Sequence, residues 1–114
     1  DVSADVVDNS LVMLPEEIGG LRFLSDLWLS NNRLQSLPQA IGQLTALREL
    51  RLDGNELAAL PETFGKLSAL RRLWLNDNRL LSLPRSFGML KKLEWLQPRD
   101  WGMLAHGLQM QSCG

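Results

Sequence analysis

Side chains that could act as nucleophile, base or metal ligand are scarce in this chain. It has one histidine, His106, and one cysteine, Cys113. Because His106 lies outside the repeated part of the chain, the sequence does not assemble a Ser-His-Asp or Cys-His arrangement. Neither residue has a second histidine or cysteine at zinc-ligand spacing, and the glycines do not form a phosphate-binding loop. We therefore predict that the chain is not an enzyme and binds neither a metal nor a cofactor.

Polar and aromatic residues recur instead in steps of 23 positions. Asparagine offers both hydrogen-bond donors and an acceptor, and tryptophan and arginine provide contact area and cation–π pairing. This chemistry suits recognition and structural support better than the making and breaking of bonds. The two columns are Asn9, Asn32, Asn55 and Asn78, and Trp28, Arg51 and Trp74.

A repeat in the aliphatic residues must position these columns. Twenty-three of the 26 leucines keep the same 23-residue step, together with one proline and one glycine per unit. A period in this range indicates a solenoid of stacked units. The unit reads Leu-x-x-Leu-Pro-x-x-Ile/Phe-Gly-x-Leu-x-x-Leu-x-x-Leu-x-Leu-x-x-Asn-x.

The period also divides the chain. Because the leucine phase is lost at Pro98, the last segment is either an irregular tail, a makeshift C-terminal cap or sequence unrelated to the repeats. Neither end has a recognisable cap, which repeat arrays usually need for solubility. The segments are 1–10, the end of a partial repeat; 11–33, 34–56 and 57–79, full repeats; 80–97, a degraded fourth repeat; and 98–114, the tail or cap.

Each unit predicts one strand and one crossover. The Leu-x-Leu pairs, such as Leu50 and Leu52, alternate as in a strand with one buried face. Equivalent strands run in the same direction, and parallel pairing needs a crossover of about a dozen residues. The repeated proline suits the first position of a helical turn, and the repeated glycine tolerates a tight bend. We therefore predict a short helical or 3₁₀ turn in each crossover.

This pattern resembles the leucine-rich repeat family. The segment Leu-x-x-Leu-x-Leu-x-x-Asn-x-Leu stands at 24–34, 47–57 and 70–80, and the resemblance covers about residues 4–96. The Leu-Pro-x-x-Ile/Phe-Gly half is similar to the 23-residue intracellular subclass, which includes Ras-pathway, Scribble and Erbin scaffolds and plant intracellular Ras-group proteins. The resemblance implies an α/β solenoid, a curved right-handed coil with parallel strands on its concave face and short helical or 3₁₀ turns on its convex side. It also implies protein binding.

The residues that flank the buried leucines of each strand would face outward on the strand side. There are 20 such positions, about the number on one side of a standard protein interface. We predict that a protein partner binds among them. The predicted contact residues are Asp26, Trp28, Ser30, Asn31, Glu49, Arg51, Asp53, Arg72, Trp74, Asn76, Asp77 and Trp95.

Charge on these 20 positions is predominantly negative. They hold seven of the 13 acidic residues and three of the 12 basic ones, giving −4 on a chain whose net charge is −1. Such a surface would steer a partner with a basic contact surface, although acidic residues could equally serve solubility. The overall charge offers no attraction to nucleic acid, and no apolar run approaches the ~20 residues of a membrane span. The charged residues are Asp5, Asp8, Asp26, Glu49, Asp53, Asp77 and Asp100, with Arg51, Arg72 and Arg99.

Two interpretations of the tryptophan column remain open. Two strand spacings of ~4.8 Å place Trp28 and Trp74 ~10 Å apart with Arg51 between them. Exposed tryptophan and arginine are typical of binding hot spots. Alternatively, both indoles stack on Arg51 and stiffen the sheet. The first interpretation predicts that Trp74→Ala weakens partner binding at little cost in stability.

We interpret the asparagine column as structural, because buried polar groups must be paired. An asparagine at each strand exit could bond the backbone of the neighbouring turns. Its loss would leave buried amides unpaired, at a cost of roughly 1–3 kcal/mol. The four residues would then form a ladder along the solenoid.

The leading functional hypothesis is a non-enzymatic interaction module or scaffold in the cytoplasm, with small-GTPase signalling suggested by the subclass alone. One cysteine and the absence of an Asn-x-Ser/Thr acceptor favour a reducing compartment. The alternatives are a structural fragment of a longer repeat protein and a regulatory segment of an enzyme encoded outside this chain. Leucines exposed at an uncapped end would also favour self-association.

Overall fold

The computed structural model describes residues 2–6 and 9–97. Within that part of the chain, five short strands form one parallel sheet in the order of the sequence. In each of the four strand pairs, a residue pairs with its equivalent 23 residues further on, as Leu27 pairs with Leu50, apart from an irregularity between Val2 and Ser3. The strands are β1 (Val2–Asp5), β2 (Leu24–Trp28), β3 (Glu49–Arg51), β4 (Arg72–Trp74) and β5 (Trp95–Gln97).

Four 3₁₀ helices alternate with these strands along the described residues. A proline in extended conformation precedes each one, which fits a residue with fixed φ and no N–H to leave unpaired. The leucine that follows each helix donates its backbone N–H to a carbonyl inside it, as Leu44 does to Ile41. The predicted crossover turns are thus confirmed. They are η1 (Glu16–Gly20), η2 (Gln39–Gln43), η3 (Glu62–Lys66) and η4 (Arg85–Met89).

The core lies between the sheet and the 3₁₀ helices. The repeated leucines of the second and third full units are almost completely buried there, as are Ile41 and Phe64. Phe64 and Phe87 stack with ring centroids 6.1 Å apart. Full burial of such a side chain stabilises the fold by roughly 1.5–3 kcal/mol, so the leucine repeat itself is the main source of stability.

Glycine is required at its repeated position for a different reason from the one that the sequence suggests. Gly42 and Gly65 are buried inside 3₁₀ helices and do not have positive φ angles. A Cβ at Gly42 would lie 2.6 Å from the carbonyl oxygen of Thr63 in the next unit. A Cβ at Gly65 would overlap the carbonyl oxygen of Ser86. The glycine therefore permits close approach of adjacent units, and the freedom of its backbone is not what the turn requires.

The N-terminal end of the core is partly open on the 3₁₀ side. Leu21 is 48% exposed, whereas its equivalents Leu44 and Leu67 are completely buried. The difference arises because, in the described residues, β1 adds a strand beside β2 but no 3₁₀ helix precedes η1. Phe23, which follows Leu21, is 81% exposed.

Each of the segments 11–33, 34–56 and 57–79 contains one 3₁₀ helix followed by one strand, and 80–97 contains η4 and β5. The predicted tail or cap at 98–114 lies outside the described residues. Among those residues, no helix combines the length and the apolar character that crossing a bilayer would require.

Candidate protein-binding face

The strand register brings the predicted contact residues into columns across the sheet. Asp5 pairs with Trp28, Trp28 with Arg51, and Arg51 with Trp74. A parallel column begins at Ser3 and continues through Asp26 and Glu49 to Arg72. We call the outward side of the sheet, which carries these columns, the strand face.

One group of side chains on the strand face is tightly connected. The guanidinium carbon of Arg51 lies 4.7 Å from the ring centroid of Trp74, a cation–π contact. Nε and Nη2 of Arg51 each lie 3.4 Å from a carboxylate oxygen of Asp53, and the Ser30 hydroxyl donates to Oδ1 of Asp53 at 2.8 Å. We call Ser30, Arg51, Asp53 and Trp74 the Arg51 cluster; it joins the segments of three adjacent units.

Trp28 has a different environment from Trp74, although both are half-buried on the strand face. Arg51 is directed to Trp74, and no cation lies over the Trp28 ring among the described residues. In the same part of the chain, the buried Nε1 of Trp28 has no hydrogen-bond partner. An unpaired buried donor costs roughly 1–3 kcal/mol, so the position of the Trp28 ring is less favourable than that of Trp74.

A shallow charged depression lies where the strands begin. Arg72 pairs with Glu49 at 3.6 Å, and Arg71 pairs with Glu94 at 3.9 Å. These arginines are more than half exposed, so each pair contributes little to stability. Ligand pockets are usually apolar and enclosed, which this open, charged surface is not. The depression has a volume of about 300 Å³ and is lined by Asp26, Arg48, Glu49, Arg71, Arg72 and Glu94.

The predicted acidic residues fall into two groups once contacts are known. Glu49 and Asp53 are neutralised by arginines, and Asp77 accepts a hydrogen bond from the Nδ2 of Asn76 at 3.2 Å. Asp5 and Asp26, by contrast, have carboxylates without an ion pair or hydrogen bond among the described residues. Asp8, Arg99 and Asp100 lie outside the described residues, as do the side chains of Trp95 and Gln97.

Two of the predicted contact residues also have a backbone role that was not expected from the sequence. Asn31 and Asp77 have φ angles of 59° and 60°, and Gly54 in the same column has 74°. Glycine, asparagine and aspartate tolerate this left-handed conformation best, so the turn restricts the residue type here. The succession of these three types at one repeat position was the signal that could have revealed it.

Asn32 and Asn55, which are buried, and Asn78, which is half-buried, make the same bonds in the three full units. Nδ2 of Asn55 donates to the carbonyls of Leu52 at 2.9 Å and Leu29 at 3.0 Å. Its Oδ1 accepts the backbone N–H of Leu34 at 3.0 Å. Asn32 and Asn78 repeat this arrangement with the equivalent backbone groups. Asn9 is exposed.

Comparison with known proteins addresses the fold and its family. A sequence model described as Leucine rich repeat matches residues 5–57, and a second with the same description matches 69–90. No curated protein matches the chain. Among solved structures, it is similar to the leucine-rich repeat protein LIC12759 of Leptospira interrogans, with a TM-score of 0.74 and 34% identity. The match covers 84% of this chain but only 25% of that protein.

Proposed function

Because this chain belongs to the leucine-rich repeat family, whose domains generally mediate protein–protein interaction, we propose that its strand face binds another protein. The curved solenoid of this family leaves the side chains between the buried leucines free for recognition. The family is typically non-enzymatic. Among the described residues, no three His, Cys, Asp or Glu side chains are grouped as metal ligands.

The observation that carries the proposal is the composition of the strand face. Two tryptophans and an arginine lie in adjacent rows of one column, and all three remain partly exposed. These residue types dominate the energy of protein interfaces, because they combine large apolar area with polar groups. The Arg51 cluster also orders its side chains before binding, which lowers the entropic cost of association.

A display library of random twelve-residue peptides can test this proposal. Peptides selected on the chain should lose affinity by about tenfold or more when Trp28 and Trp74 are both replaced by alanine, as expected for hot-spot residues. The matched control is the double variant Leu81→Ala and Met89→Ala, which removes two exposed apolar residues away from the strand face. Equal losses in both double variants would refute the proposal, as would a selection that yields no binder sensitive to the tryptophans.

The proposal competes with two alternatives: a structural segment of a longer repeat protein and a regulatory segment of an enzyme. The chain spans about a quarter of the length of the leptospiral protein that it matches. Both alternatives concern a longer protein of which this chain would be one segment. The structural alternative predicts that the double alanine variant changes no interaction.

We further propose that the partner belongs to an intracellular small-GTPase pathway and that the chain works in the cytoplasm. The support is the Leu-Pro-x-x-Ile/Phe-Gly pattern and the single cysteine. Equal binding, or none, to GTP-loaded and GDP-loaded Ras-type GTPases would count against the first part. Recovery of the tagged full-length protein outside the cytoplasmic fraction would count against the second.

Self-association through the N-terminal end is a second candidate, favoured by the exposure of Leu21 and Phe23. Exposed apolar side chains at the end of a repeat stack can pack against another molecule. Light scattering should then show a mass that rises with concentration and falls when both residues are replaced by lysine. A constant monomer mass would refute it.

A further inference from the structure

We propose that Trp28, together with Asp5 and Asp26, binds a cationic side chain, arginine or lysine, presented by the protein partner. The inference rests on the proposed function, since it names the chemistry of the partner at one point of the strand face. It assigns to this one tryptophan a specific role in recognition that Trp74 does not share.

The Arg51 cluster provides the internal precedent. Arg51 stands one unit before Trp74, directly beside it in the register, and its guanidinium lies 4.7 Å from the ring centroid. The equivalent neighbour of Trp28 is Asp5, which occupies the same place one unit earlier. The chain therefore supplies its own cation to one tryptophan and a carboxylate to the other.

The charges around Trp28 favour a cation from outside. Asp5 is adjacent on β1, and Asp26 lies two residues earlier on the same strand and the same side of the sheet. Neither carboxylate is paired within the described residues. Arg51, the basic neighbour on β3, is drawn towards Asp53 and Trp74. A guanidinium or ammonium over the Trp28 ring would thus meet a π face and two carboxylates that have no ion pair within the described part of the chain.

The arginines of the nearby depression do not remove this preference. Arg72 and Arg71 are paired with Glu49 and Glu94. Together with Arg48 they line the depression beside Asp26, whereas Asp5 is not among its lining residues and therefore provides the main attraction for a cation at Trp28. An acidic partner side chain would be repelled by Asp5, and a neutral one would lack both the cation–π contact and the charge attraction. The site therefore discriminates by charge.

The indole N–H signals of the ¹⁵N-labelled chain give a direct test. The titrants are N-acetyl-arginine methylamide and its neutral isostere N-acetyl-citrulline methylamide. We expect a saturable shift of the Trp28 signal, identified by its loss in Trp28→Phe, with about fivefold tighter binding of the arginine compound. The Trp74 signal should shift less, because Arg51 already occupies its ring. Equal binding of the two compounds, no saturable shift, or a larger shift at Trp74 would overturn the inference.

Variants then test the carboxylates. Asp5→Asn should weaken binding of the arginine compound about threefold, as should Asp26→Asn, because each removes one partner of the cation. Glu62→Gln makes the same change in charge at an exposed residue of η3 and should leave the affinity unchanged. If all three variants weakened binding of the arginine compound equally, the aspartates would act only through the net charge of the chain. The proposed site would then be wrong.

The two proposals can fail separately. If library peptides bind the strand face but their affinity does not depend on an arginine or lysine, the cation site is wrong and the binding function stands. If the arginine compound binds at Trp28 but the library yields no peptide sensitive to the tryptophans, the cation site stands and the binding function is wrong.

Discussion

Trp28 and Trp74 occupy the same position of the repeat, two units apart, yet their environments differ. Trp74 receives the guanidinium of Arg51, which Asp53 holds in turn. Trp28 has a carboxylate neighbour, Asp5, and a buried indole N–H without a partner among the described residues. Identical residues in equivalent backbone positions have therefore acquired different chemistry.

The asparagine column, only a few residues away, behaves in the opposite manner. Asn32, Asn55 and Asn78 make the same hydrogen bonds, because their partners are backbone groups that repeat with the fold. The partners of the tryptophans are side chains, which change from one unit to the next. A residue on the strand face thus has to be interpreted with its neighbours, whereas a framework residue can be interpreted from its position in the repeat.

The largest expected effect is that of Asn55→Ala. It leaves the N–H of Leu34 without its side-chain partner and removes one of the two asparagine bonds to each of the carbonyls of Leu29 and Leu52, at a cost of about 3 kcal/mol. Urea denaturation measures the change. Asn9→Ala is the matched control from the same column, and because Asn9 is exposed its effect should be much smaller. A loss below ~0.5 kcal/mol for Asn55→Ala would refute the structural role.

A smaller effect is expected when a methyl group is added between units. Gly65→Ala places its Cβ against the carbonyl of Ser86 and should cost about 2 kcal/mol, within the range of overpacking. Gly88→Ala tests the same repeat position, where the described residues leave open space within 4 Å, and should be nearly neutral. Thermal unfolding of both variants would distinguish them. Similar losses of stability in both variants would indicate that the position requires the backbone freedom of glycine and not the close approach of adjacent units.

The smallest expected effect separates the two tryptophans. The cation–π contact makes the structural interpretation stronger for Trp74, so Trp74→Ala should lower stability by about 1 kcal/mol more than Trp28→Ala. Binding of the library peptides should show the reverse order. If Trp74→Ala weakens binding more than Trp28→Ala at no cost in stability, the hot-spot interpretation of Trp74 is correct and our comparison is wrong.

The sequence predicts the fold well because its main determinant is periodic. The Leu-x-Leu pairs locate β2, β3 and β4, and the 23-residue step sets their parallel register. The prolines locate the start of every described 3₁₀ helix. In each case one local pattern and one physical rule are enough.

What the sequence could not supply depends on distances between units. The clash that restricts Gly65 arises from Ser86, 21 residues away, and the conformation of Asn31 is visible only in its φ angle. The Arg51 guanidinium stacks on Trp74 and also contacts Asp53, an arrangement that the spacing alone does not predict. The two tryptophans are indistinguishable in the spacing pattern, and the unequal chemistry of the strand face emerges only from side-chain geometry.

The asparagine bonds also have a polarity along the chain. Every hydrogen-bond partner that the structure gives to the Asn32, Asn55 and Asn78 side chains precedes that asparagine in the sequence. During synthesis from the N-terminus, the asparagine of each new unit can therefore form its hydrogen bonds with backbone that has already been synthesised. Deleting units from the C-terminal side would leave the hydrogen bonds of the remaining asparagines intact. Deleting the first units would remove the backbone partners of the first asparagine that remains.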